Sequence, residues 1–258
     1  MTDDQRTAMP EFITYNIELP DGRFTCPKVG LLCRNPLYLG WSRTLNLLYP
    51  PEQRDGIRML DLGCNEGGFS LLFAQAGFHV VGLEARDKNL DCANYLKLQF
   101  QLANLEFHKA DVRQASDFGV FDIVLCSGVL YHMDSPVSFL QQISACTKRI
   151  IIVDTHFSMG SEPPPQFALE GLSEHEGKPG RWYKEPAEVK SAARTESARW
   201  ASYGNERSFW LDKFALLETL REVGFTLIFE QYDVMPRIGI TREPAREWRS
   251  TFVGIKGA

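Results

Sequence analysis

The sequence has no apolar run approaching the roughly 20 residues that a membrane span needs. Its polar opening, MTDDQRT, lacks the apolar core of a signal peptide. Missing too are any C-x-x-C pair, any Cys/His cluster with zinc spacing and any internal repeat. The six cysteines (Cys26, Cys33, Cys64, Cys92, Cys126 and Cys146) are widely scattered, several inside apolar stretches where buried thiols are common. A spanning helix, a disulfide framework and a structural zinc site are therefore not expected. Reduced thiols in a cytoplasmic protein are. The chain also lacks a basic surplus: 28 Lys and Arg against 33 Asp and Glu give a net charge of −5. A protein living mainly on phosphate-backbone contacts ordinarily shows such a surplus, so nucleic acid is disfavoured as a partner.

What is present suffices for one large domain. In 258 residues the hydrophobic fraction is 44% and the charged fraction 24%, ordinary values for a globular core. Residues 1–55 read as an N-terminal extension or lid. FITYNIELPDGRFTCP suggests short extended pieces about an Asp21-Gly22 turn, and PLYLGWSRTLNLLYPPEQ a helix closed by Pro50-Pro51. From Ile57 strands and helices alternate. IRMLDL, HVVGLEA, LEFHKAD, FDIVLCS and RIIIVDT read as strands. GGFSLLFAQAG, DKNLDCANYLKLQFQLA and DSPVSFLQQISACT read as helices, with Asp87 capping the second and Asp134 or Ser135 the third, ahead of Pro136. After Thr155 the rhythm fails over a proline- and glycine-containing insertion, 156–209. It resumes with the helix LDKFALLETLREVG, ended by Gly224, and the strands FTLIFEQYDV and STFVGIKG. This pattern predicts an α/β domain over 56–258, with a mostly parallel seven-stranded sheet covered by helices on both faces.

Ligands of such sheets bind beyond the carboxyl ends of the strands, where strand order reverses. DLGCNEGGFS, Asp61 to Ser70, falls at such an end: an acidic residue and three glycines between a strand and a helix. The glycines do not fall as G-x-G-x-x-G, and Asn65 stands where a permissive glycine would be expected. Glu84 ends the next strand about 20 residues on, where a carboxylate can accept both ribose hydroxyls. Asp111 ends the third, positioned to accept from an adenine amino group, with the Val112 N–H beside it. Each carboxylate has a plainer alternative as a cap or turn residue. Glu66, at the mouth of the helix, is a poor neighbour for a pyrophosphate. It is tolerable beside a cationic ligand without phosphates.

Taken together, these stretches resemble the class I S-adenosylmethionine-dependent methyltransferases. MLDLGCNEGGFS resembles their first motif, VVGLEA their acidic second strand, KADV their adenine-side motif, and FDIVLCSGVLYHM their fourth strand and following loop. The resemblance runs over 57–154, with Asn65 departing from the family's usual glycine. It implies a Rossmann-like fold, S-adenosylmethionine as cofactor, and a cofactor site of Asp61, Gly63, Cys64, Asn65, Gly67, Glu84, Ala85, Arg86, Asp111, Val112, Ser127 and Gly128. In that site Gly63 and the backbone around it approach the methionine portion, and Asp61 helps hold its amino group, directly or through water. Glu84 takes the ribose, Asp111 and Val112 flank the adenine, and Ser127 and Gly128 lie near the sulfonium.

Methyl transfer from a sulfonium is an in-line displacement that depends mainly on alignment. A hydroxyl nucleophile also benefits from a base working near neutrality. His132 and His156, each following a strand, are the candidate catalytic bases, and each could equally be a packing residue. Tyr131 suits a wall of the site. His132, Asp134, Asp154 and His156 could converge on a divalent ion, but they lack tight ligand spacing, and no metal is assigned. The insertion supplies GRWYKE (Gly180 to Glu185) and RWASYGNERSFW (Arg199 to Trp210), planar aromatics mixed with Arg and Asn. Such mixtures suit polar rings and sugars. Arg181, Trp182, Tyr203, Asn205 and Trp210, with Tyr131, are the candidate substrate contacts beneath a capping insertion. GVLYHMDSPVSFL also resembles the tRNA wobble-uridine carboxymethyltransferase branch. Met133 and Asp134 stand where that branch carries arginines to pair its cofactor's added carboxylate. The expected reaction is methyl transfer to an O or N atom of a small molecule: a natural product, sugar or other metabolite. The alternatives are tRNA modification and a cofactor-binding protein without catalysis.

Overall fold

A computed structural model describes residues 8–186, 196–231 and 248–257. The opening MTDDQRT, residues 187–195 of the insertion, and 232–247, which include the end of FTLIFEQYDV, lie outside the described residues.

Strands β1 (Arg58–Leu62), β2 (His79–Glu84), β3 (Leu105–Lys109), β4 (Phe121–Ser127) and β5 (Thr147–His156) run parallel. With β9 (Leu227–Gln231) and β10 (Arg249–Ile255) they form one seven-stranded sheet ordered β3-β2-β1-β4-β5-β10-β9. β10 lies antiparallel to both of its neighbours, with Phe252 opposite Val153 on one side and Glu230 on the other. The mostly parallel seven-stranded sheet expected from the alternation is what forms. The order reverses between β1 and β4, and the site lies at their carboxyl ends, as such sheets require.

Period-two alternation sends successive strand residues to opposite faces. Met59, Ile123, Leu125, Ile150 and Ile152 join one buried cluster with Trp41, Leu71 and Phe73. Leu60, Val124, Cys126, Ile151 and Val153 join the other, with Phe139, Leu140 and Phe225. Both faces are thus covered, by α1 (Pro36–Leu48), α2 (Gly68–Gln75) and α3 (Asp87–Phe100) on one side and by α4 (Pro136–Ala145) and α5 (Lys213–Glu222) on the other.

Two expected helix caps differ in chemistry. Arg86 occupies the cap position of α3, while Asp87 is its first residue and pairs with Lys109 at 2.6 Å. Ser135 occupies the cap position of α4 without a side-chain capping bond. The carboxylate of distant Glu176 serves instead, accepting from Val137 N at 2.8 Å and Ser138 N at 3.0 Å. Glu176 sits at the turn between β6 (Leu169–His175) and β7 (Lys178–Lys184). These strands, with β8 (Arg207–Leu211), make a three-stranded antiparallel sheet. Part of the insertion is therefore regular structure, and its aromatic strand residues pack against the second core cluster: Phe209 is buried there and Trp182 is packed against it.

Candidate active site

A cavity of about 330 Å³ opens at the carboxyl ends of β1, β2 and β4. The turn after β1 forms its floor. Gly63 has φ +64°, and a Cβ there would lie 2.8 Å from Val129 Cγ2, so only glycine fits. Asn65 also takes a positive φ, +53°, which asparagine tolerates. Its Nδ2 donates to Thr14 Oγ1 at 3.4 Å, while its Oδ1 is buried without a partner. An orphaned acceptor in the cavity lining is a place for a ligand donor. Glu66 turns the other way. Fully buried, its carboxylate accepts from the backbone N–H of Ile13 (2.7 Å), Thr14 (3.1 Å) and Tyr15 (2.9 Å), and from Arg199 Nη2 at 3.0 Å.

Glu84 ends β2 on the cavity wall, accepting from Arg86 N at 2.8 Å and Asn89 Nδ2 at 3.3 Å. Each carboxylate oxygen keeps a lone pair for further donors. Burial pushes its carboxyl above the ordinary value, against the lowering effect of Arg86. Asp111 and Val112 line the cavity beyond β3. Asp111 is also a cap: it accepts from Arg113 N at 2.9 Å and pairs with the Arg113 guanidinium at 2.9 Å.

Residues 199–203 of the insertion complete the lining as a strap. At one end Arg199 binds Glu66, Asn89 Oδ1 (2.6 Å) and the Glu11 carbonyl (3.1 Å). Midway, Arg86 Nη2 donates to the carbonyls of Ala201 (2.7 Å) and Ser202 (3.1 Å). Trp200 Nε1 reaches Thr14 Oγ1 at 3.2 Å.

Ser127, Gly128, Tyr131, His132 and Arg249 form the remaining wall. Arg249 Nη2 pairs with Asp154 Oδ2 at 2.5 Å. Burial opposes the Arg249 charge, but Asp154 and Tyr131 together outweigh it and hold the guanidinium above its usual range. Burial likewise raises the Tyr131 hydroxyl, so it stays protonated. His132 Nδ1 lies 2.8 Å from Glu185 Oε1, a carboxylate buried in the insertion.

A family model described as a methyltransferase domain matches residues 37–230, three-quarters of the chain. The chain belongs to this family. Its sheet order, motifs and cavity are those of a class I S-adenosylmethionine-dependent methyltransferase. The N-terminal domain of EvdMO1, solved in the presence of SAH and D-fucose, superposes with TM-score 0.66 at 25% identity, over 93% of this chain and 90% of that one. Magnesium protoporphyrin IX methyltransferase from Synechocystis PCC 6803, with bound SAM, shares the fold at TM-score 0.52 and 15% identity, over 86% of this chain and 80% of that one. Ubiquinone biosynthesis O-methyltransferase of Aromatoleum aromaticum is 34% identical over 119 residues, 45% of this chain and 46% of that protein. Its counterpart in Leptothrix cholodnii is 30% identical over 117 residues, 44% and 47% respectively. The match thus spans less than half the length of these curated relatives.

S-adenosylmethionine is the cofactor of this methyltransferase, and the cavity fits it: a cradle at Gly63 with no room for a side chain, an orphaned Asn65 acceptor, and a carboxylate at Glu84 with acceptor capacity to spare. Gly63, Asn65, Glu84, Ala85, Arg86, Asp111, Val112, Ser127 and Gly128 all line it, as do Tyr131, His132 and Tyr203. Asp61 lies behind the wall, accepting from Ser70 Oγ at 2.5 Å. Cys64 and Gly67 are packing residues: a Cβ on Gly67 would meet Phe107 at 2.7 Å and Ala93 at 2.8 Å.

His156 does not reach the cavity lining of the methyltransferase. It stacks on Trp210 at 4.8 Å, and its Nδ1 lies 3.2 Å from the Trp248 carbonyl. Burial, aided by Arg249, drives it down to about 3, which makes it a weak base. Arg181 is buried against the carbonyls of Glu170 and Ser161, and partly buried Trp182 packs on Phe209. Trp210 Nε1 donates to the Tyr131 carbonyl, and Asn205 bridges Arg113 and the His132 carbonyl. These four hold the insertion in place, outside the cavity lining. Among the described residues no group of three or more His, Cys, Asp or Glu side chains could hold a metal. The quartet weighed for a metal is divided, with Asp154 on Arg249 and His132 on Glu185. Sequence reasoning missed Thr14, Tyr15, Leu37, Arg199, Trp200 and Arg249 in the lining. It also missed Glu185, whose only sequence signal was its place at the end of GRWYKE.

Proposed function

We propose that the protein methylates a hydroxyl oxygen of a small ring-shaped acceptor, a sugar foremost, with His132 as the base. The observation that carries this is the His132 ring on the cavity wall. Its Nδ1 is engaged at 2.8 Å, which leaves Nε2 for the acceptor. When bound, S-adenosylmethionine supplies a methyl group activated by its sulfonium. Glu84 holds the ribose, Asp111 the adenine end, and the Gly63 backbone with Asn65 the methionine portion. His132 Nε2 would take the acceptor's O–H proton, freeing the oxygen's electron pair to receive the methyl group that the cofactor supplies. Such a base contributes roughly 10²–10⁴-fold. Tyr131, Trp200 and Tyr203 offer planar surface, and His132 and Arg249 polar atoms, which suits a hydroxylated ring.

The likeness to the EvdMO1 domain solved with D-fucose supports a sugar, and the ubiquinone O-methyltransferases support a phenolic ring as the second choice. The carboxymethylating alternative draws no support from the cavity's arginines. Arg113, Arg199 and Arg249 are already paired with Asp111, Glu66 and Asp154, and Arg86 is engaged by strap carbonyls. The test is transfer of labelled methyl from S-adenosylmethionine to D-fucose or to a catechol. His132→Ala should lower turnover at least about 100-fold while SAH still binds. Full turnover in that variant would remove the base.

A further inference from the structure

We infer that Glu185 is the positioning residue for His132, and that through it the docked insertion arms the base. The inference rests on the reading of His132 given above. Glu185 directly follows β7, is 4% exposed, and its backbone N–H is fixed on the Glu206 carbonyl at 3.0 Å. Its Oε1 meets His132 Nδ1 at 2.8 Å and accepts from Ser208 Oγ at 2.5 Å. Its Oε2 accepts from the backbone N–H of Ser202 at 3.3 Å. Ser202 belongs to the strap over the cofactor cavity, and its carbonyl is held by Arg86. One carboxylate therefore touches the candidate base, the strap and β8 at once.

The chemistry follows from the two imidazole nitrogens. A neutral imidazole carries one proton, and a carboxylate facing Nδ1 holds that proton there. The lone pair then sits on Nε2, the nitrogen left for the acceptor. As the acceptor's O–H proton arrives on Nε2 the ring becomes imidazolium, and the Glu185 charge beside it offsets the new positive charge without itself taking a proton. Asn205 Nδ2, donating to the His132 carbonyl at 3.0 Å, fixes the backbone beneath the ring. With the strap undocked, Glu185 would lose its Ser202 donor and the ring its orientation. The base is assembled by a segment that also roofs the cofactor.

The test reads the tautomer as well as the rate. In histidine-¹⁵N-labelled protein saturated with SAH at about pH 8.5, where free imidazole is neutral, wild-type His132 should show a protonated Nδ1 and a bare Nε2. Loss of the signal in His132→Gln makes the assignment. Glu185→Ala should move the proton to Nε2 and lower kcat at least about 30-fold, with KM for S-adenosylmethionine within about threefold. Glu185→Gln, nearly the same shape, keeps the packing and removes the charge, and should still lose about tenfold or more in kcat. An unchanged tautomer with unchanged kcat overturns the inference. So does a kcat loss matched by an equal loss of SAH affinity without a tautomer change, since that marks a merely structural carboxylate. Wild-type rates in the Glu185 variants alongside an inactive His132→Ala sink only this inference. An active His132→Ala sinks the base and this inference with it.

Discussion

The Glu66 carboxylate and the Arg199 guanidinium meet at 3.0 Å, both buried, 133 residues apart in the chain. One comes from the glycine turn after β1, the other from the insertion. Three backbone N–H groups of residues 13–15 converge on the same carboxylate. The N-terminal extension, the cofactor turn and the strap are thus tied at one point, beside the cavity.

Arg199→Ala should untie the strap while leaving Glu66 its three backbone donors. Removing one partner of a buried pair costs about 3–5 kcal/mol when the other is stranded. Here the remaining donors hold the loss to about 1–3 kcal/mol. Stopped-flow release of SAH should become at least about tenfold faster, alongside a modest fall in melting temperature. Wild-type release would mean that the strap does not retain the cofactor.

Glu84→Gln separates binding from folding. Burial makes the Glu84 charge costly to the fold, so removing it should leave the melting temperature of the cofactor-free protein unchanged or higher. Calorimetry with SAH should show affinity down at least about tenfold, as for the loss of hydrogen bonds to a charged group. Equal affinity would refute the ribose contact.

Asp61 makes stability pH-dependent. Burial raises its carboxyl to about 7, with Glu84 adding to the rise and the Ser70 hydrogen bond opposing it. An unfolded chain loses this proton near pH 4, so between about pH 4 and 7 the folded state binds more protons and its stability falls as pH rises. Asp61→Asn should melt higher than wild type above pH 7, and the gap should close below about pH 4. A pH-independent gap would contradict the buried, raised carboxyl.

His156 works in the opposite direction. Held down to about 3, first by burial and then by Arg249, it stays neutral in the fold while the unfolded chain takes up a proton below about pH 6.5. Stability is therefore lost on acidification from about pH 6.5 towards 3. His156→Phe should flatten that part of the melting-temperature profile and keep turnover within about threefold of wild type. A large loss of turnover at unchanged SAH affinity would return His156 to the chemistry.

The cavity lining at the strand ends was legible because its determinants are local. Gly63, Asn65, Glu84, Asp111 and Ser127 each follow or end a parallel strand, and strand ends in this topology point to one crevice. The rest of the site was legible only in part: Tyr131, His132 and Tyr203 line the cavity. His132 and His156 looked equivalent by position, and only packing separates them: one faces Glu185 at the cavity, the other is sandwiched against Trp210. Arg181, Trp182 and Trp210 have the composition of a sugar site, yet they are spent on packing and on backbone carbonyls.

The sequence by itself determined the alternating sheet, the turn chemistry at Gly63 and Asn65, and the identity of the cofactor. The first two rest on period-two burial and on backbone angles that only a few residues adopt; the cofactor rests on the resemblance of the strand-end motifs to the methyltransferase family. The tertiary structure alone decided what Glu66, Arg199 and Glu185 do. Each is a buried charge whose partner lies 53 to 133 residues away. A buried charge must find a partner, but nothing in the local sequence states which one it finds.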